Sequence, residues 1–173
     1  MTQIRTIEVI PYSEEWQQNF NDEAESLKDI FGTVLCALHH IGSTAVPGIM
    51  AKPIIDILGV TSDIDAIDSF NEVMREHGYI PKGEFGIAGR RFFIKGDEIN
   101  RTHHLHMFAA DDDQLKRHLN FRDYLIAHPH AASYYSELKR MLAAKYPNDI
   151  ESYMDGKNDF IKRILQKSNG LSS

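Results

Sequence analysis

The segment from Pro53 to Val60, PIIDILGV, places the strongest constraint on how this chain folds. Apart from Asp56, its residues are aliphatic, proline or glycine, so an extended chain here is apolar on both faces. Such a strand must be covered on both sides, as in the centre of a sheet. A carboxylate in that position is costly unless it is paired or bound to a cation. We therefore predict a central strand and a functional role for Asp56.

A Gly-Ser pair stands ahead of this strand, in the run from His40 to Gly59, HIGSTAVPGIMAKPIIDILG. Glycine lets a backbone approach a phosphate group closely, and exposed amide groups with a serine hydroxyl donate hydrogen bonds to phosphate oxygens. Gly42 and Ser43 would then hold phosphate while Asp56 holds a metal ion beside it. The alternative is an ordinary tight turn, because glycine and serine are common in turns. The spacing to Asp56 favours a nucleotide site.

Apolar periodicity predicts a mixed α/β region followed by a helical region. Strands are predicted at residues 5–10, 34–41, 53–60, 90–95 and 102–109, the last two as a hairpin. Helices are predicted from Trp16 to Phe31, from Ile64 to Met74, from about 113 to 128, around an apolar face of Tyr134, Leu138, Met141 and Leu142, and over about 148–167. With no repeat or linker, residues 1–167 form one predicted domain, mixed α/β over 1–112 and helical over 113–167, and 168–173 form a tail.

The net charge of -6 and the single cysteine limit the classes of function. An acidic chain lacks the basic surface of a protein that binds duplex nucleic acid. Cys36, expected to be a buried thiol in an apolar run, offers no disulfide framework, which favours the cytoplasm. The sequence has no stretch of about eighteen apolar residues and no secretory pattern at its start, so we expect no membrane insertion. The oligomeric state is left open.

Four segments in order resemble the GrpB family: residues 40–59, RTHHLHMF at 101–108, KRHLNFRDYLIAHP at 116–129 and YMDGKNDF at 153–160. The family is similar to polymerase-beta-type nucleotidyltransferases, and in some chains a similar domain is fused to dephospho-CoA kinase. The resemblance implies an α+β fold with a nucleotidyltransferase-like mixed sheet packed with helices and a C-terminal helical segment. It also implies phosphate binding at Gly42 and Ser43 and a divalent metal, Mg²⁺ or Mn²⁺, at Asp56.

The acidic strand of that superfamily usually carries two acids, two residues apart on one face. Here the positions two residues from Asp56 are Ile54 and Leu58, so the pair is incomplete, which speaks against two-metal nucleotidyl transfer. A third acid usually lies on a neighbouring strand. That place is taken here by His104 and His106, which alternation puts on one face.

Asp56, His104 and His106 form a two-histidine, one-carboxylate set that suits Mn²⁺, Fe²⁺ or Zn²⁺ better than Mg²⁺ alone. The three residues are therefore the predicted metal ligands and catalytic residues. The alternative is a pair of half-buried polar side chains without a metal.

Three basic side chains are candidates for binding phosphate. Arg122 lies on an otherwise apolar helical stripe, where it could instead pair with Asp56 or Asp123. Lys157 lies on a second such stripe, where its stem could extend to solvent. Lys52 stands between the Gly-Ser pair and Asp56. The glycine-rich segment at 83–89 could close over the pocket.

The leading hypothesis is a cytoplasmic nucleotidyltransferase-like protein that binds a nucleotide or another phosphorylated small molecule with a divalent metal. The alternative is a module that keeps the fold without the chemistry and senses a nucleotide or a coenzyme A precursor.

Overall fold

A five-stranded mixed sheet forms the centre of the molecule in the computed structural model, which describes residues 6–97 and 99–171. The strands are β1 Leu35–Ile41, β2 Ile55–Thr61, β3 Tyr79–Pro81, β4 Arg91–Gly96 and β5 Arg101–Ala109. The α-helices are α1 Glu15–Phe31, α2 Asn71–Glu76, α3 Asp113–Ala127, α4 Pro129–Lys145 and α5 Ile150–Leu171. Short 3₁₀ helices occupy Gly32–Val34, Ser43–Ala45 and Asp65–Phe70.

Strand β2 lies inside the sheet, as its two apolar faces predict. The strand order is β1-β2-β5-β4-β3, in which β2 pairs antiparallel with β1 and parallel with β5. Ile55 and Ile57 pack into a cluster with α1 on one face, whereas Leu58 packs with Leu115 of α3 on the other. Because side chains alternate along a strand, Asp56 shares the face of Leu58, toward the C-terminal helices. The predicted α+β fold is confirmed.

Several sequence predictions require correction at their boundaries. The strand predicted at residues 5–10 forms only a single bridge, Ile10 with Ala51; residue 5 lies outside the described residues. The tail predicted from residue 168 is helical as far as Leu171. Strand β3 was not predicted because it is only three residues long. Cys36 is exposed rather than buried, since it lies on the edge strand β1.

The buried face of α4 also differs from the predicted one. Tyr134 and Met141, expected in the core, are each 56% exposed, whereas Ala132, Tyr135 and Lys139 are buried. Both faces of this helix carry aromatic residues, so periodicity alone did not distinguish them. Within the described residues no helix has the length and apolar content of a membrane span.

A buried charge network joins α1 to the sheet on the face opposite Asp56. Glu23 is 8% exposed, accepts a hydrogen bond from the Tyr79 hydroxyl at 2.6 Å and pairs with Lys95 Nζ at 2.9 Å. Burial acts to raise the pKa of Glu23, but these two partners and His103 outweigh it and lower the pKa. The network therefore holds a carboxylate that remains charged at neutral pH.

Replacing Glu23 with glutamine should lower the free energy of unfolding by about 2–3 kcal/mol, because it removes the charge that compensates Lys95 in a buried setting. Urea denaturation measures the change. Glu25→Gln, an exposed position on the same helix, is the matched control and should change stability by less than about 0.5 kcal/mol. Equal losses in both variants would contradict a structural role for the network.

Candidate functional site

A cavity of about 420 Å³ lies between the sheet and helices α3 to α5. The start of β2 supplies Asp56, and the connection from β1 to β2 supplies Gly42, Ser43 and Lys52. The other polar residues that line it are Thr44 of the same connection, His104 and His106 of β5, Gln114, Arg117 and His118 of α3, Tyr135 and Lys139 of α4, and Tyr153 and Lys157 of α5. Side chains far apart in sequence therefore meet in one pocket.

Asp56 and the two histidines of β5 converge at one end of this cavity. In the parallel register Asp56 pairs with His104, and His106 follows two residues later on the same face. His104 Nδ1 lies 3.4 Å and His106 Nε2 lies 3.3 Å from Asp56 Oδ1. Burial acts to raise the pKa of Asp56, but the two imidazoles outweigh it and hold the pKa well below its usual range. The carboxylate is therefore ionised.

The donor set of this triad is compatible with a divalent metal ion. One atom from each of the three residues lies within 4.8 Å of the others, and all three line the cavity. Two imidazoles and one carboxylate suit Mn²⁺, Fe²⁺ or Zn²⁺. Leu58, at one of the two positions for a second acid, is fully buried among apolar side chains.

The Gly-Ser turn packs directly against Asp56. Gly42 has φ 72° and ψ -169°, a conformation almost restricted to glycine. A Cβ atom at this position would lie 2.8 Å from Asp56 Oδ2. Glycine is therefore required both by the turn and by the closeness of the carboxylate.

Three lysines and two tyrosines form what we call the lysine cage: Lys52, Lys139, Lys157, Tyr135 and Tyr153. Lys52 Nζ and Lys157 Nζ lie 5.4 and 4.8 Å from the centre of the Tyr153 ring, and Lys139 Nζ lies 4.8 Å from that of Tyr135. Lys139 also donates a hydrogen bond to the Met50 carbonyl. The cage thus holds three cations on the faces of two aromatic rings.

Burial and mutual repulsion make the cage costly for charged lysines. Burial, with Lys157 and Lys52 nearby, lowers the pKa of Lys139 to about 7. Burial and Lys52 likewise lower the pKa of Lys157 to about 7, although Asp56 opposes the shift. Within residues 6–97 and 99–171 neither lysine forms an ion pair with a carboxylate. An anion entering the cavity would supply the missing charge.

Tyr153 and Ser43 add hydroxyl groups to the cage. The Tyr153 hydroxyl is buried and, within the described chain, has no hydrogen-bond partner. Burial raises the pKa of Tyr135, and the neighbouring Ser43 side chain opposes that rise. The Gly-Ser turn and the lysine cage are therefore neighbours, and together they offer hydroxyl donors beside the cations.

One basic candidate from the sequence, Arg122, lies away from the cavity and has other partners. Arg122 is not among the lining residues: its Nη1 donates to the His40 carbonyl at 3.1 Å and its Nε to Asp123 at 2.9 Å. The alternative pairing with Asp123 is the one observed. His40 contacts Thr44 and stacks on Phe20 as a core residue.

Sequence reasoning missed Lys139, Tyr135, Tyr153 and His118. Lys139 lies on a buried stripe with Ala132 and Tyr135, the same signal that identified Lys157. His118 ring lies 5.5 Å from that of His106, and burial lowers its pKa to about 4, so it is neutral at pH 7. The half-buried position of His118 on α3, beside β5, could be recognised only from the fold.

Comparison with known proteins identifies relatives along nearly the whole chain. A family model described as "GrpB protein" matches residues 6–167. The UPF0157 protein YqkA of Bacillus subtilis is 50% identical over 158 residues, which are 91% of this chain and 46% of that protein. This chain therefore spans about half the length of that relative.

Two further relatives match over most of their own length. The glutamate-rich protein GrpB of Alkalihalophilus pseudofirmus is 37% identical over 92% of this chain and 94% of that protein. The crystal structure of the conserved protein GrpB from Enterococcus faecalis is 41% identical, covers 93% of this chain and 96% of that chain, and has a TM-score of 0.89.

Proposed function

This chain belongs to the GrpB family, and we propose that it binds a nucleotide or another phosphorylated small molecule, together with a divalent metal ion, in the cavity between its sheet and its C-terminal helices. The charge of the cavity carries this proposal. Among the described residues that line it, four are lysine or arginine and one, Asp56, is a carboxylate, although the whole chain has a net charge of -6. Lys139 and Lys157 are buried, Lys52 is half-buried and Arg117 is exposed. An excess of basic side chains around one cavity favours an anionic ligand.

The two ends of the cavity would bind different parts of the ligand, phosphate at one end and the metal ion at the other. Lys52, Lys139 and Lys157 would neutralise phosphate oxygens, with hydroxyl donors from Ser43 and Tyr153. Asp56, His104 and His106 would hold the metal ion, which when bound neutralises phosphate charge and polarises the bonds to phosphorus. Nucleotidyl transfer is the reaction that this arrangement would support best.

A second candidate is a binding module without catalysis, for a nucleotide or a coenzyme A precursor. The observation that favours it is the apolar neighbourhood of Asp56, since Ile54 and the buried Leu58 occupy the positions of a second acid. A single carboxylate leaves one of the two metals of nucleotidyl transfer without its usual ligands.

Isothermal titration with ATP, pyrophosphate and AMP, each with and without Mn²⁺, tests the proposal. We expect binding that Mn²⁺ strengthens. In Asp56→Ala the gain from Mn²⁺ should disappear, while metal-free affinity should hold or rise because the cavity becomes more positive. Failure of all three probes to bind the wild type would refute the proposal.

Phosphorus NMR after long incubation separates an enzyme from a binding module, because a binding module returns its ligand unchanged.

Anion affinity should fall as pH rises through 7, because Lys139 and Lys157 have pKa values of about 7 and only their protonated forms attract an anion. Sulfate is the cleanest probe, since its own charge is constant in this range. Between about pH 6 and pH 8 we expect its dissociation constant to rise by roughly ten-fold or more. A pH-independent affinity for sulfate would show that these lysines do not bind the anion.

A further inference from the structure

We propose that Arg90 is a positioning residue that determines which nitrogen of His106 carries the proton, and that it thereby opposes entry of a metal ion into the triad. The part concerning the metal rests on the proposed function. The part concerning the proton does not, because it follows from contacts within the chain.

Arg90 is held firmly in a buried position immediately before β4. It is 7% exposed, and its guanidinium carbon lies 4.6 Å from the centre of the Phe92 ring. Its Nε donates to the Glu84 carbonyl at 3.1 Å and its Nη2 to the Phe85 carbonyl at 2.7 Å. These contacts fix the direction of the remaining nitrogen, Nη1.

Arg90 Nη1 lies 3.3 Å from His106 Nδ1. A guanidinium has only donors, so Nδ1 must accept and the proton of a neutral imidazole must be on Nε2. That nitrogen faces Asp56 Oδ1 at 3.3 Å and therefore donates to the carboxylate. The donor and acceptor roles along this chain are therefore fixed: Arg90 donates to His106, and His106 donates to Asp56.

The second histidine repeats this arrangement. Arg101 Nη1 lies 3.4 Å from His104 Nε2, and His104 Nδ1 lies 3.4 Å from Asp56 Oδ1. By the same reasoning Nε2 accepts and Nδ1 carries the proton. Asp56 therefore receives two N–H donors, each directed by an arginine behind the ring.

This polarity is the reverse of the one found around bound metals. A histidine that binds a metal usually donates its far N–H to a carbonyl or carboxylate and turns its lone pair to the ion. For His106 to bind through Nε2, its proton must move to Nδ1, and Arg90 must leave that nitrogen. The exchange needs no net uptake or release of a proton. Because Arg90 is bonded to the carbonyls of Glu84 and Phe85, ion entry is coupled to the loop at residues 83–89.

Two substitutions separate this role from a purely structural one. Arg90→Gln removes the obligatory donor and offers a carbonyl oxygen that accepts from Nδ1–H, so the metal-ready form should dominate. Arg90→Lys keeps a cation that only donates and should preserve the wild-type form. Arg91→Gln is the control: Arg91 is the next residue along the chain, but its guanidinium pairs with Asp65 and Asp68 at the surface.

Nitrogen-15 NMR of the metal-free proteins at about pH 8, where an ordinary imidazole is neutral, reports the protonated nitrogen directly. We expect Nε2–H for His106 in the wild type, Arg90→Lys and Arg91→Gln, and Nδ1–H in Arg90→Gln. Titration with Mn²⁺ or Zn²⁺ should give a dissociation constant about ten-fold lower for Arg90→Gln than for the other three.

Nδ1–H in the wild type, or equal metal affinities of Arg90→Gln and Arg90→Lys, would overturn the inference. If no variant binds a metal, the proposed metal function fails, but the NMR result still decides the position of the proton. If Arg90→Gln does not fold, Arg90→Lys and the wild type still provide the spectroscopic test.

Discussion

Gly42→Ala should lower the free energy of unfolding by at least about 3 kcal/mol and abolish ligand binding in the cavity. Two causes add. The backbone at φ 72° and ψ -169° is unfavourable for any residue with a Cβ, and the new methyl group would lie 2.8 Å from Asp56 Oδ2. Relief of that contact requires Asp56 to move away from His104 and His106, which disrupts the triad. Urea denaturation and titration with ATP measure the two effects.

Gly48→Ala provides a matched control for the backbone contribution. Gly48 also has a positive φ, 84°, but a Cβ there would meet no atom within 4 Å. We expect it to cost about 1 kcal/mol and to leave binding intact. In an Asp56→Ala background Gly42→Ala should cost less than in the wild type, because the contacting carboxylate is absent. Additive losses would show that the contact with Asp56 is unimportant.

The double variant Lys139→Met, Lys157→Met should bind pyrophosphate at least about 100-fold more weakly, since each lost charge-assisted contact contributes about 1.5–3 kcal/mol. It should also be more stable than the wild type by about 1–3 kcal/mol, because two repelling ammonium groups are replaced by apolar chains of similar volume. A loss of function with a gain of stability is the signature of a site built for a ligand.

The size of this stability change depends on pH. Between about pH 7 and pH 10 the unfolded chain binds more protons than the folded one, because the lysine pKa is about 7 when folded and about 10.4 when unfolded. Wild-type stability should therefore rise over this range, and the advantage of the double variant should be largest near pH 7.

Lys145→Met controls for the loss of a lysine on helix α4. Lys145 is exposed, although its Nζ lies 5.2 Å from the centre of the Tyr146 ring, a geometry similar to that of the cage. We expect neither affinity nor stability to change measurably. If the double variant loses free energy of unfolding as well as affinity for pyrophosphate, the lysines are structural and the cage is not an anion site.

The sequence predicted that Asp56, His104 and His106 lie close together, because strand geometry is simple. Alternation along a strand places His104 and His106 on one face, and an apolar segment of the composition of β2 belongs inside a sheet. The residue register, Asp56 opposite His104, then brings the three side chains together. The metal-binding and catalytic roles of these three residues, and the phosphate-binding role of Gly42, Ser43, Lys52 and Lys157, remain predictions.

The lysine cage was predicted only in part because helical periodicity groups residues by face without saying which face meets the sheet. Helix α4 has aromatic residues on two sides, and the side with Lys139 is buried. On helix α3, His118 and Phe121 line the cavity, whereas Arg122 donates hydrogen bonds to the His40 carbonyl and to Asp123. Rotation of a helix about its axis is set by packing against its neighbours.

By itself, then, the sequence determined the fold class, the central position of Asp56 and the alignment of the two histidines, because these follow from local periodicity and chain composition. The tertiary structure alone decided which charges meet: Lys139 enters the cavity, Arg122 stays outside it, and Arg90 stands behind His106. These choices depend on contacts between residues far apart in sequence, which no local pattern encodes.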